Sequence, residues 1–391
     1  LFDGESTARF MGMIGYQVSA VGNHEFDFGI QAFESNRKAS GIEYLSSNII
    51  FSDLKKAFMS STSFDSKGGT VFFTGSTTEE LKQIAFASYL KDVTVVKPEG
   101  PVGRELEKNS NSALMQIVLS HESTDSAAKW ATALKEKPLI VFTAHEHAEA
   151  LKNHSDILFV QTTGKFESYA RIEVQKKDGN LFVTKADIVP LNKKGQFNSA
   201  TSQKIKKLTD DYLEKLERKA GQPLIKATVP FEFESFQKLY ACSLLAAFPE
   251  YEVSMSNPGA FRDSIGQGIV KKSDIISMLP FQNRIVLSSI KGKDLIYNLG
   301  LSGESYCGVK RSEGSWTLNG SAIEPDRKYK AVIHEYIYSG GDYYKFIVDE
   351  AENQITSRCW REPLEKYLAQ SSGDGMALED AYAGLMARYG R

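Results

Sequence analysis

Cysteine is scarce in this 391-residue sequence: Cys242, Cys307 and Cys359 are all there is, and no two stand at C-x-x-C spacing. That excludes a disulfide framework, allows one bridge at most, and leaves the redox compartment unset. Neither sign of charge is in excess, with 47 Lys and Arg against 49 Asp and Glu. A binder whose whole surface is a basic footprint for nucleic acid is thereby excluded. Long hydrophobic runs are missing too. Residues 240–248, broken by one serine, fall far short of the roughly 20 apolar residues that cross a bilayer. An initiator methionine is also missing. The sequence opens at Leu1, and residues 1–15 read as a helix running into a strand with no earlier strand to pack on. The lack of a signal peptide is therefore uninformative. What is present, 41% apolar and 11% aromatic residues, suits the cores of two or three ordinary domains.

The first half alternates short Val-, Ile- and Leu-rich runs with helical stretches. Residues 16–22 lead into "NHEFDFG", 114–120 into "HEST", and 138–144 into "HEHAEALKN", with an amphipathic segment at 126–137. This rhythm predicts a layered α/β domain. Residues 171–175 and 181–185 alternate around Asp178-Gly179, which predicts a closing hairpin. A polar stretch follows, and then Ile205, Leu208, Tyr212 and Leu216 recur at helical spacing, with Ser202 as the expected cap and Gly221 and Pro223 as the stop. The expected domains are 1–200, a linker helix 201–222 and a second α+β domain 223–391. No internal repeat or low-complexity tract appears.

Four of the six histidines (His24, His121, His145 and His147) fall at the ends of predicted strands. In an open α/β sheet such ends share one edge, where ligands bind. A lone histidine there is usually a hydrogen-bonded surface residue; four together favour a site. Neutral imidazoles with an amide oxygen suit zinc, manganese, iron or cobalt better than magnesium or calcium. "GNHE" at 22–25 is the sharper signal, expected by accident in a chain this long on the order of one time in a thousand. There Asn23 offers a carbonyl ligand, His24 faces substrate, and Asp27 can bond the far ring nitrogen and fix its tautomer.

These segments resemble the 5′-nucleotidase family of metallophosphoesterases. "GYQVSAVGNHEFDFG" is similar to that family's strand and GNHE motif, "VLSHES" to its histidine segment, and "FTAHEH" to its GHxH, with Ala144 in the glycine position. In the second half, "SNPGAFRDSIGQGIVKKSDIISMLPFQNRIV" resembles the nucleotide-binding segment and "YIYSGGDYYKF" the terminal one. The resemblance implies a four-layer α/β/β/α metallophosphoesterase sandwich, here N-terminally incomplete, then a linker helix and an α+β substrate-binding domain. It implies two divalent ions (zinc, manganese or cobalt), with Asn23, His121 and His145 on one and His147 on the other, and His24 and Asp27 as a catalytic dyad. It implies that Phe281 and Tyr336 sandwich a base, that Asn257 and Asp342 bond base and ribose, and that Arg262 holds negative charge. The expected reaction is hydrolysis of nucleoside 5′-monophosphates to nucleoside and phosphate, in an exported enzyme of the periplasm or cell surface. The expected partner is a nucleotide and not a nucleic acid, with no membrane span, and closure about residues 202–221 would gate turnover.

The sequence departs from the family in three places. The D-x-H and G-D motifs that precede GNHE in the family, and that supply the bridging aspartate, are not in this chain. The abrupt start at Leu1 favours a preceding segment that carries them; a true start favours a nucleotide-binding protein without hydrolysis. Residues 232–245, where the family's arginine-bearing stretch should lie, hold no arginine and Lys238 as their only cation, and Tyr343 stands where glycine is usual. The preferred phosphoester can thus differ, with cyclic 2′,3′-nucleotides and nucleotide-sugars as the alternatives.

Overall fold

The computed structural model describes residues 1–53, 58–191, 199–312, 314–346 and 352–390. Its contacts divide the chain into two compact units, Phe2–Thr209 and Asp210–Arg391.

The first unit is built on a six-stranded sheet in the order Ser61–Ser66, Gly69–Thr77, Met115–His121, Ile140–Phe142, Ile157–Gln161, Ala150–His154. The four inner strands run parallel and the two edge strands antiparallel. Alternation along the inner strands gives the sheet two apolar faces. Phe72, Val118, Val141, Ile157 and Phe159 meet Val102 and Leu106 of the helix Glu99–Asn109 and Ala127, Trp130 and Ala131 of Thr124–Ala131. On the other face Ile117, Ile140, Leu158 and Val160 meet Ala170, Ile172, Val174, Val183 and Ala186. These last belong to the hairpin Ser168–Lys177 with Asn180–Pro190, which supplies a second β layer. Its turn residues Asp178 and Gly179 have φ of 52° and 83°, the two left-handed positions that a tight hairpin turn demands. A βαβ unit, Val18–Ala20 paired in parallel with Glu43–Leu45 across the helix Gly29–Ser40, has its own core of Val21, Phe26, Phe33, Ile42 and Tyr44. The unit is a layered α/β sandwich, as the alternating rhythm predicts.

The helix expected around 201–222 runs Ala200–Ala220. Its cap is Ser199 and not Ser202. The Ser202 N–H donates to Ser199 Oγ (3.1 Å) while the Ser199 N–H donates to Ser202 Oγ (3.0 Å), so Ser202 is the third residue of a reciprocal capping box. Residues 192–198 of the preceding polar stretch lie outside the described residues.

The second unit has a five-stranded sheet ordered Tyr306–Cys307, Val253–Met255, Lys328–His334, Arg284–Lys291, Gln354–Cys359. One face packs on the apolar helix Phe233–Ala247 and the two C-terminal helices, around Leu239, Tyr240, Leu244 and Trp360. The other face packs on Leu295 and Leu299 of the helix Gly292–Leu301. The one possible bridge forms between Cys242 and Cys307, fastening helix Phe233–Ala247 to the edge strand, and Cys359 stays reduced. Among the described residues no helix is long and apolar enough to cross a membrane.

Candidate functional site

In the first unit, parallel pairing carries histidines from separate segments to one sheet edge. Thr77 pairs with His121 at the carboxyl ends of their strands, and Leu119 pairs with Phe142 three residues before His145. The loop after Val18–Ala20 comes to the same edge through a hydrogen-bonded strap. Thr77 Oγ1 donates to Val21 O (2.7 Å), Thr77 N–H donates to Asn48 Oδ1 (2.8 Å), and Thr78 N–H donates to His121 O (3.2 Å). Asn48 is wholly buried and fully used, since its amide also donates to Thr77 O and Val96 O; such groups are stable inside only when satisfied.

The side chains then meet. His121 Nε2 lies 2.9 Å from Asn23 Oδ1 and donates to it, which leaves Nδ1 with the lone pair. The His121 and His145 rings stand 5.4 Å apart. His24 Nδ1 donates to Asp27 Oδ2 at 2.8 Å, which orients the ring and turns Nε2 away from the carboxylate. The His121 pKa is lowered to about 3, first by burial and then by repulsion from His145, His24 and His147. That of His145 is lowered chiefly by burial. His147 packs against Gly164, where an added Cβ would sit 3.0 Å from its ring. Asn23, His24, Asp27, His121, His145 and His147 thus form one neighbourhood.

The His145 loop is strained. Glu146 N–H donates to Ala144 O (3.0 Å) around His145, whose φ is 78°, and His147 has φ of 54°. A γ-turn of this sense is the rare one, and each such residue costs of order 1–3 kcal/mol. The loop is held from below by Glu122. Its carbonyl accepts from Ala144 N–H (3.2 Å) and its carboxylate accepts from Ser120 Oγ (2.9 Å), Trp130 Nε1 (3.0 Å) and Ser126 Oγ (2.7 Å). Burial raises the Glu122 pKa despite these donors. Gly22 is required by close approach: an added Cβ would lie 2.6–2.9 Å from three atoms of the His121 ring.

In donor type this group fits an ion of the zinc, manganese or cobalt class, with imidazole nitrogens and an amide oxygen. Among the described residues no three His, Cys, Asp or Glu side chains stand in a geometry that holds a metal.

The second unit gathers the other candidates at one edge of its sheet. Asn257 follows Val253–Met255, which runs parallel to Lys328–His334, and Tyr336 and Asp342 follow that strand. Phe281 precedes Arg284–Lys291, which is antiparallel, with Ile285 opposite His334. Asp342 accepts from Asn257 Nδ2 and from Tyr336 OH, each at 2.7 Å. Arg262 lies 5.1 Å over the Phe281 ring, and its charge reaches Tyr336. Lys238, the only cation in residues 232–245, sits 3.2 Å over the Tyr306 ring and 3.5 Å from Glu304, and burial pushes its pKa down.

Several supporting residues carry no sequence signal. Arg361 Nη1 donates to Leu279 O (2.7 Å) and Phe281 O (2.6 Å), and Trp360 Nε1 donates to Phe281 O (2.8 Å); together they fix the segment bearing Phe281. Arg284 pairs with Glu335 through two contacts, tying the Phe281 strand to the Tyr336 strand. Glu80, whose charge acts on His145, belongs to no recognisable motif. Only the proximity of Glu122 to His121 in sequence marks that residue.

Residues 224–308 match the family described as 5′-nucleotidase, C-terminal domain. The chain is 22% identical to the protein UshA of Yersinia enterocolitica, over 95% of this chain and 80% of that one. It is also 22% identical to the 5′-nucleotidase of Vibrio parahaemolyticus, over 95% and 79%. In fold it is similar to the 5′-nucleotidase precursor of Thermus thermophilus, with a TM-score of 0.81 at 19% identity over 94% and 83% of the two chains. The domain match and the near full-length relatives agree with the residues described above, and the chain is similar over most of its length to proteins of the 5′-nucleotidase family.

Proposed function

We propose that this chain hydrolyses nucleoside 5′-monophosphates or closely related nucleotides to nucleoside and phosphate with the help of divalent metal. The observation that carries the reading is the meeting of Asn23, His24, His121, His145 and His147 at one sheet edge. Asn23, His121 and His145 would hold one ion and His147 would face a second. Bound ions supply Lewis-acid polarisation of the phosphoryl oxygens and a nucleophile at neutral pH. His24 presents Nε2 toward the ester, and Asp27 keeps its proton on Nδ1. In the second unit Phe281 and Tyr336 would stack a base, worth about 1–3 kcal/mol. Asn257 and Asp342 would bond base and ribose, and Arg262 would meet negative charge. The relatives named as 5′-nucleotidases support the substrate class. The buried Cys242–Cys307 bridge suits an oxidising compartment and supports an exported enzyme.

The test is phosphate release from nucleoside monophosphates with added zinc, manganese or cobalt. His24→Ala is expected to lower kcat by two orders of magnitude or more, with nucleotide affinity within twofold. A variant as fast as the unchanged chain overturns the role of His24. A second reading is nucleotide binding without hydrolysis, which rests on Phe281, Tyr336, Asp342 and Arg262 of the second unit alone. Nucleotide binding with no phosphate release under any of these metals would select it.

A further inference from the structure

Tyr336 does two things at once. Its ring lies flat on Gly341, where a Cβ would stand 2.5–2.6 Å from three ring atoms, so only glycine permits the placement. Its other attachment is polar: the hydroxyl donates to Asp342 Oδ1 (2.7 Å), while Asn257 Nδ2 donates to Oδ2 (2.7 Å). Two donors on different oxygens leave the carboxylate one orientation, with its remaining lone pairs as the acceptors a ligand can reach. Asp342 itself is held in a conformation its side chain does not favour. It has φ of 50°, followed by Tyr343 at 64°, and residues in that region are kept only where their surroundings fix them. Asn257 is 3% exposed and its Oδ1 has no partner, so its amide is anchored through the bond to Asp342. Burial and the neighbouring carboxylate push the Tyr336 pKa far up, which keeps the hydroxyl a donor at any working pH. A phenylalanine here would keep the ring on Gly341 and lose the donor to Asp342 Oδ1.

We infer that the Tyr336 hydroxyl is a specificity-determining group: by holding Asp342 in register with Asn257 it aims the carboxylate at a cis-diol, so that this chain selects nucleotides with an intact ribose over those lacking 2′- and 3′-hydroxyls. The inference rests on the nucleotide reading of the second unit and deepens it. Chemistry gives the direction. A carboxylate fixed by two donors and offering two lone pairs pairs with two vicinal hydroxyls, and a site built for such donors rejects the analogue without them by far more than a methylene's worth. Tyr336 acts through Asp342, and so is a positioning residue with respect to the sugar as well as a stacking surface for the base.

The experiment uses the full chain and calorimetric binding, not turnover. Adenosine, guanosine, cytidine and uridine 5′-monophosphates are titrated first, and then the 2′,3′-dideoxy counterpart of the best of them. The unchanged chain is expected to prefer the ribonucleotide at least tenfold. Tyr336→Phe is expected to weaken ribonucleotide binding five- to tenfold and leave dideoxynucleotide binding within twofold, so that the preference collapses. Asp342→Asn should remove the same preference, and the double variant should lose no more than either single one, because both act on one contact. Equal weakening of both ligands by Tyr336→Phe, or a preference that survives it, overturns the inference while leaving the nucleotide reading standing. If none of the four monophosphates binds the unchanged chain, the nucleotide reading falls and the inference falls with it.

Discussion

At the scale of single residues the histidine group depends on space as much as on chemistry. Gly22 has an extended backbone (φ −106°, ψ −172°) that any residue adopts, so its backbone freedom is not what the position requires. The requirement is the His121 ring, which an added Cβ would meet at 2.6–2.9 Å. That ring is hemmed in by Asn23 and His145 and buried, so it yields only by breaking its bond to Asn23. Gly22→Ala is therefore expected to destabilise the first unit by about 1–3 kcal/mol, the usual cost of overpacking. Urea unfolding followed by Trp130 fluorescence checks this, since Trp130 is the one tryptophan in residues 1–209. An unchanged midpoint would mean that the ring moves freely and that its contact with Asn23 is dispensable. Glu122 makes a different demand. Glu122→Ala strands the Trp130, Ser120 and Ser126 donors at once, and each buried donor left unpaired costs about 1–3 kcal/mol. Loss of about 3 kcal/mol or more in the same assay is expected, with Glu122→Gln recovering part of it.

At the scale of elements, the edge strand Tyr306–Cys307 is two residues long and pairs with one neighbour. Two residues of ladder cannot hold a strand in place, and the Cys242–Cys307 bridge to helix Phe233–Ala247 supplies what pairing does not. The bridge closes a loop of 65 residues, for which restricting the unfolded chain is worth about 4 kcal/mol. Cys307→Ser is expected to lower the stability of residues 210–391 by about 2–5 kcal/mol, read from Trp316 and Trp360, with the Trp130 transition unmoved. Elements with strong local chemistry were legible in the sequence: the Asp178-Gly179 hairpin, the inner parallel strands, the helix that stops at Gly221. The cap of that helix was misplaced by one turn because Ser199 and Ser202 bond each other, and sequence alone does not say which of two serines stands outside. Edge strands such as Ser61–Ser66 and Ala150–His154 lacked a signal, being short and polar. The histidine motifs were legible because each is contiguous. The Thr77–Asn48 strap and the Arg361 contacts to the Phe281 segment were not, because their partners are 29 to 82 residues apart, and the Glu122 clamp was not, because its serine and tryptophan partners form no contiguous motif.

At the scale of the whole molecule the two units carry different buried ionisable groups, and so answer acid differently. In the second unit His334 is wholly buried between Trp360 and Tyr336, with Ser256 Oγ on Nε2 and no partner on Nδ1. Burial lowers its pKa from 6.5 to about 3. Above pH 6.5 folded and unfolded forms are both neutral there, and the full stability is present. Below 6.5 the unfolded chain takes up a proton that the folded one refuses, and stability falls by about 1.4 kcal/mol per pH unit until about pH 3. The first unit has His121 and His145 acting in the same sense, but also Glu25 and Glu122, whose pKa values burial raises above 4.5. For a raised carboxyl the sign reverses: its contribution is present below 4.5 and is lost as pH rises through the folded value. In the first unit the carboxyls therefore oppose the two histidines as pH falls, and acid weakens it less steeply than it weakens the second. Lowering the pH from 6.5 to 5 is therefore expected to reduce the stability of residues 210–391 by about 2 kcal/mol, seen as an earlier Trp316 and Trp360 transition, with a smaller shift of the Trp130 transition. His334→Gln removes the titrating group and should flatten the pH dependence of the second transition. If that transition still shifts by the same amount in the variant, the acid response belongs to other groups, and His334 is not where the second unit meets its protons.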